Sequence, residues 1–132
     1  MQYVTNEGAQ GLCPPGFHIP TDAEYTTLNT FLGGESIAGG KMKSTGTIQA
    51  GTGLWQEPNT GATNSSGFTA LPGGFRNLSG GYSSLSDQAF FWTSTTSEGT
   101  FSWGRELLYN SEWAYRINSF WENGFSARCI KD

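Results

Sequence analysis

Charge is scarce in this chain of 132 residues: Lys, Arg, Asp and Glu make up 14%, and the formal net charge is −4. The seven basic residues form no stripe. Without one a protein cannot displace the counterions of DNA or RNA, so no nucleic-acid partner is expected. No apolar run approaches the roughly 20 residues a membrane-spanning helix needs, so no membrane insertion is expected either. The chain is polar after Met1, and no signal peptide is visible. It reads as a domain cut from a longer or exported protein. Histidine occurs once, as His18, which leaves hydrolytic triad chemistry with a single candidate base. No cluster of His, Cys and acids has zinc-ligand spacing, and no glycine-rich phosphate loop follows a strand.

Aliphatic residues are also sparse, and aromatics take their place: nine Phe, five Tyr and five Trp. Each buries a large area, so a few can build a core. The length fits one domain over residues 1–132, large enough to bury a core without a metal. Nineteen glycines imply many turns with positive φ and a loop-rich fold. Two cysteines, Cys13 and Cys129, lie near opposite ends of the chain. They are either two buried thiols or a bridge. A bridge would close a loop worth about 4.7 kcal/mol in the chain-entropy model for about 100 residues.

Residues 1–20 read as an extended leading segment, because Cys13-Pro14-Pro15-Gly16 cannot be helical. Thr21-Asp22-Ala23-Glu24 then has the form of a capping box. Tyr25, Leu28 and Leu32 follow at helical spacing with Phe31 beside them, and Gly33-Gly34 ends the run. A helix is predicted over about residues 22–32. Residues 33–89 read as a long irregular region with a short helical turn around Ser36–Ala38. Its apolar anchors are Met42, Leu54, Trp55, Phe68, Leu71, Phe75, Leu78 and Tyr82. From residue 90 the pattern turns strand-like: Phe90–Thr95, Trp103–Tyr109, Trp113–Ile117 and Gly124–Ile130. Helix first, loops next and a compact antiparallel sheet last make the expected class α+β.

Five segments, in order, carry a family resemblance: CPPGFHIPTDAEYTTL, GGESIAGGKMKSTG, WQEPNTGATNSSGFTALPGGFR, FFWTSTTS and GFSARCIKD. From about Tyr3 to Asp132 the chain resembles the Fibrobacter succinogenes major paralogous domain (FISUMP) family. That family looks like a branch of the C-type-lectin-like superfamily. Related domains include the variable proteins of diversity-generating retroelements and the formylglycine-generating enzymes. The resemblance implies a C-type-lectin-like fold with one main N-terminal helix, a long loop region, a C-terminal antiparallel sheet and neighbouring termini. It also implies that Cys13 and Cys129 pair, which would place the domain in an oxidising compartment. One departure is Phe17, where the family often has Trp; only a change in packing is expected.

Catalysis is not expected. His18, between Phe17 and a proline before the helix cap, reads as structural. The cysteines are better explained as a bridge than as reactive thiols. Calcium-dependent sugar binding finds a partial motif, Glu57-Pro58-Asn59, without the second triplet of calcium lectins. One triplet cannot supply the six to eight oxygens a calcium ion takes. No cofactor or metal is therefore expected, and a calcium lectin stands only as an alternative.

The stretch 101–125 holds eight aromatics. Strand alternation puts Trp103, Arg105 and Leu107 on one face and Gly104, Glu106 and Leu108 on the other. By resemblance to the family pattern W-x-R-x-L, the first set faces the core. Ala114 and Arg116 match fixed family positions, which leaves Trp113, Tyr115 and Ile117 open. Asn118 to Glu122 read as a turn bearing Phe120 and Trp121. Arg105 and Arg116 are expected to hold loops through backbone carbonyls. Trp103 and Phe125 are expected in the core.

The expected function is non-enzymatic recognition. Its face comprises Glu106, Leu108, Trp113, Tyr115, Ile117, Asn118, Phe120 and Trp121, with a polar contribution from Glu122. The expected ligand is a cell-surface protein or glycan, bound by a monomer outside the cell, on its surface or on a phage particle. The face looks like the variable face of a retroelement-diversified protein. The alternative is an assembly domain that uses the same face for packing.

Overall fold

The computed structural model describes residues 6–132, so the first part of the leading segment lies outside the described residues. The elements in chain order are β1 (Phe17–His18), α1 (Asp22–Phe31), α2 (Glu35–Met42), β2 (Phe75–Arg76), β3 (Tyr82–Ser83), β4 (Gln88–Thr96), β5 (Phe101–Leu108), β6 (Ala114–Phe120) and β7 (Ile130–Lys131). Helices come first and the main sheet later, which is an α+β arrangement. The main sheet is antiparallel in the order β4-β5-β6, and two short pairs, β1-β7 and β2-β3, accompany it.

Helix α1 forms where its local signals lie. The Thr21 side chain accepts from the Glu24 amide, and the Glu24 carboxylate accepts from the Thr21 amide. Leu32 is the C-cap, so the helix ends at the double glycine. Tyr25 and Leu32 are buried and Leu28 packs partly against them, whereas Phe31 is exposed.

Helix α2 corrects the expectation of a short turn, since it runs eight residues. Its Gly39 and Gly40 weaken it on propensity, but packing compensates. A Cβ on Gly39 would lie 2.2 Å from the Trp113 carbonyl oxygen, and one on Gly40 would lie 2.5 Å from the Gly61 oxygen. Only glycine lets α2 approach so closely, and the Gly40 amide donates to the Glu112 carbonyl at 3.0 Å.

The loop region is held more by polar groups than by the anticipated anchors. Met42 and Trp55 are fully buried, but Leu54, Leu71, Leu78 and Tyr82 are exposed. The buried Lys43 ammonium donates to the carbonyls of Thr60, Leu108 and Ser111 at 2.8, 2.9 and 2.9 Å, tying the loop to the end of β5. The Trp55 indole donates to the Ala70 carbonyl. In the turn Glu57-Pro58-Asn59, the Asn59 amide donates to the carbonyls of Ser44 and Gly46, a structural use of that motif.

Two strand expectations change. The segment 124–129 is not a continuous strand: it makes isolated bridges, Gly124 antiparallel with Arg76 and Ser126 parallel with Phe91, and Ile130–Lys131 then pairs with Phe17–His18. Strand β6 runs through Phe120, so Asn118 is not in a turn; the turn starts at Trp121. The Cys13–Cys129 disulfide is present and joins segments 116 residues apart, beside the β1-β7 pair.

Candidate functional site

Strand register sorts the two faces of the main sheet. Leu107 pairs with Ala114 and Ala89, and Arg105 pairs with Arg116 and Phe91. These residues share the face packed against the helices, where Ala89, Phe91, Leu107 and Ala114 join Tyr25, Leu32, Ala38 and Met42 in the core. Trp103 belongs to the same face and lies half-buried beneath the Arg116 guanidinium, 3.3 Å from its ring centre.

The two arginines converge on a carboxylate rather than holding loops, although Arg105 does use two backbone carbonyls as expected. Arg105 has no exposed surface. Its Nη1 donates to Asp22 Oδ1 at 2.6 Å and to the Gly104 carbonyl, while Nη2 donates to the Asp22 carbonyl and Thr26 Oγ1. Arg116 donates through Nε and Nη2 to the same carboxylate. Both therefore clamp the first turn of α1 to the sheet. Partial burial pushes the Asp22 carboxyl up, but the hydrogen bonds from Arg116 and Arg105 outweigh it and hold the group below its ordinary value. His18 likewise joins Asp132 at 2.7 Å and Glu24 at 3.0 Å, and those carboxylates raise its pKa.

The opposite face carries Glu106, which pairs with Tyr115 on one side and Phe90 on the other; Gly104 pairs with Ile117, and Leu108 with Gln88. Half of this face is covered. Phe125 stacks on Phe90 and Trp92, with ring centres 4.8 and 4.3 Å away, and Phe75 meets Phe90 edge-on. The other half, around Glu106, Leu108, Tyr115 and Ile117, is half-buried, and among the described residues its one ring pair is Trp113 with Tyr115. At its edge Trp113 is 46% exposed and stacks on Tyr115 at 5.7 Å, and the Tyr115 hydroxyl shares a hydrogen bond with Ser111 Oγ.

The eight candidate residues thus do not make one patch. Glu106, Leu108, Tyr115 and Ile117 share a face, with Trp113 adjoining. Asn118 and Phe120 lie on the helix-side face, because the strand and its alternation continue to Phe120. There Asn118 sits opposite Trp103, and Phe120 packs on Phe101 at 4.2 Å. Trp121 is half-buried in the turn, its amide bonded to the Thr100 carbonyl. Gln88 belongs to the open half and is absent from the candidate set. Alternation along β4 from Phe90 and Trp92 could have found it.

Glu106 is the distinctive group of the open half. It is half-buried, and burial pushes its carboxyl above the ordinary range. Gln88 Nε2 donates to Oε1 at 3.1 Å. Among the described residues no ion pair involves it, and no group of three or more His, Cys, Asp and Glu could hold a metal ion. No helix among them is long and apolar enough to cross a membrane.

These features define a small disulfide-bridged α+β domain whose antiparallel sheet is packed on one side and half-open on the other. The chain belongs to the Fibrobacter succinogenes major domain family, whose model matches residues 2–131. No curated protein and no solved structure matches it significantly.

Proposed function

We propose that this domain is a non-enzymatic recognition module of the C-type-lectin-like kind, and that it binds a cell-surface protein through the open half of its sheet. One observation carries the reading. Phe75 and Phe125 cover Phe90 and Trp92, whereas among the described residues Trp113 and Tyr115 stack only on each other, beside Leu108, Ile117 and the Glu106 carboxylate. Rigid aromatics beside aliphatics are the usual anchors of protein recognition surfaces. The resemblance to retroelement-diversified proteins supports the same strand as the place where side chains vary. The disulfide supports an oxidising location outside the cell, on its surface or on a phage particle.

The test is a pull-down from a cell-surface extract with the native domain and a Trp113→Ala/Ile117→Ser variant shown to be folded by its melting curve. A partner held by the native domain and lost by the variant supports the reading. Equal retention moves the site off this face. A dimer in solution that the double substitution dissociates makes the face an assembly surface instead.

A further inference from the structure

Glu106 sets a chemical problem that the folded chain leaves unsolved. Its carboxylate lies on an apolar, aromatic half-face, directly between Phe90 and Tyr115 across the two neighbouring strands. Side chains at directly opposed positions stand close enough to touch. Gln88 satisfies one oxygen, and no described group donates to Oε2. A half-buried acid in such surroundings loses hydration and gains little in return.

The protein's own cations are committed elsewhere. Arg105 and Arg116 point to Asp22 through the other side of the sheet, and Lys43 is buried against three carbonyls. Lys41 caps the Leu32 carbonyl, and Arg128 lies over Phe68. None of the seven basic residues pairs with Glu106 among the described residues.

We propose that Glu106 is the specificity point of the open face and receives a cationic side chain, Lys or Arg, of a protein partner whose flanking apolar residues pack on Leu108, Trp113, Tyr115 and Ile117. The inference rests on reading this face as a recognition surface. Its chemistry is complementary on two counts. The carboxylate supplies the opposite charge in a partly desolvated place, where it counts for more than in water. Tyr115, held by its hydroxyl bond to Ser111 and its stack on Trp113, offers a ring face, a second attraction for a guanidinium or ammonium. Gln88 keeps the carboxylate in place while leaving Oε2 for the incoming donor. The neutral burial of Phe90 and Trp92 under Phe125 directs the partner to this half of the sheet.

The experiment is an NMR titration of the isotope-labelled domain with two capped pentapeptides, Gly-Leu-Arg-Leu-Gly and its citrulline counterpart. The two have nearly the same shape and differ in charge. The Gln88 side-chain amide and the Tyr115 and Ile117 backbone amides report on the face. The expected result is that the arginine peptide shifts these signals with about tenfold tighter binding than the citrulline peptide, the order of a close charge pair. That gap should close in the near-isosteric Glu106→Gln variant and shrink with added salt. Equal shifts from both peptides, or a gap that persists in Glu106→Gln, overturn the cation inference while leaving an open face for a neutral ligand such as a glycan. No shift on the face with either peptide overturns the inference, and if the pull-down also keeps its partner despite Trp113→Ala/Ile117→Ser, the recognition reading falls with it.

Discussion

Arg105 places its Nη1 2.6 Å from Asp22 Oδ1, across 83 residues of chain. The guanidinium is entirely buried and stands over the Tyr25 ring, while Arg116 closes on the same carboxylate from the sheet's outer strand. This clamp fixes the N-terminal turn of α1 against β5 and β6. It turns the helix-side face of the sheet inward, so that the Glu106 face lies away from the helices.

Asp22→Asn should therefore be the more damaging single change. It leaves a buried guanidinium without its counter-charge, a loss of about 3–5 kcal/mol for a broken buried pair. Arg116→Ala removes an exposed partner and should cost about 1 kcal/mol or less. Urea unfolding of both variants checks the order, and equal losses would refute the clamp's asymmetry. The native domain should also lose stability in acid. Asp22's folded pKa is depressed, so its contribution is present above the ordinary 3.8 and disappears as pH falls through the folded value.

His18 should give the opposite pH trend. Its hydrogen bond to Asp132, then those to Glu24, raise its folded pKa above 6.5 despite some desolvation. The contribution is complete below 6.5 and fades as pH rises through the folded value. Melting temperatures from about pH 5 to about pH 8 cover that window. Asp132→Asn should flatten the decline, and an unchanged slope would show that the pair contributes nothing.

Gly39→Ala should destabilise the domain, although alanine favours an exposed helix interior by about 1 kcal/mol. The new Cβ would meet the Trp113 carbonyl at 2.2 Å and the Glu112 carbonyl at 2.8 Å. Overpacking of this kind costs about 1–3 kcal/mol. Amide shifts at Trp113 should accompany the loss. A neutral or stabilising result would mean that α2 can retreat freely from the sheet.

Reduction of Cys13–Cys129 should lower stability substantially. The bridge spans 116 residues of sequence, and the chain-entropy model assigns about 4.7 kcal/mol to a loop of about 100 residues. A double Cys13→Ser/Cys129→Ser variant compared by urea unfolding in non-reducing buffer reads the difference. A loss below about 1 kcal/mol would mean that the β1-β7 pair and its neighbours hold the ends together unaided.

Local signals were legible in the sequence. With the family resemblance marking the core side, alternation set Arg105, Leu107 and Ala114 apart from Glu106, Tyr115 and Ile117, and the capping box and the Gly33-Gly34 stop placed α1 almost to the residue. Each depends on contacts within a few residues or on a period of two, which needs no knowledge of distant chain.

Helix α2 was not legible, because two glycines disqualify it on propensity and only their contacts with Trp113 and Gly61 explain it. Nor was the split of the candidate patch, since where β6 ends depends on its pairing with Phe101 rather than on its own residues. The partners of Arg105, Arg116 and Lys43 lay far along the chain and had no local mark.

By itself, then, the sequence determined the α+β class, the first helix and the alternation along β5 and β6, because short-range sterics and periodicity govern those. Which half of the sheet stays open, and that none of the described cations pairs with Glu106 there, only the tertiary structure decided. Phe75 and Phe125 cover one half, and Asp22 draws both sheet arginines to the opposite face, through long-range packing that no local pattern records.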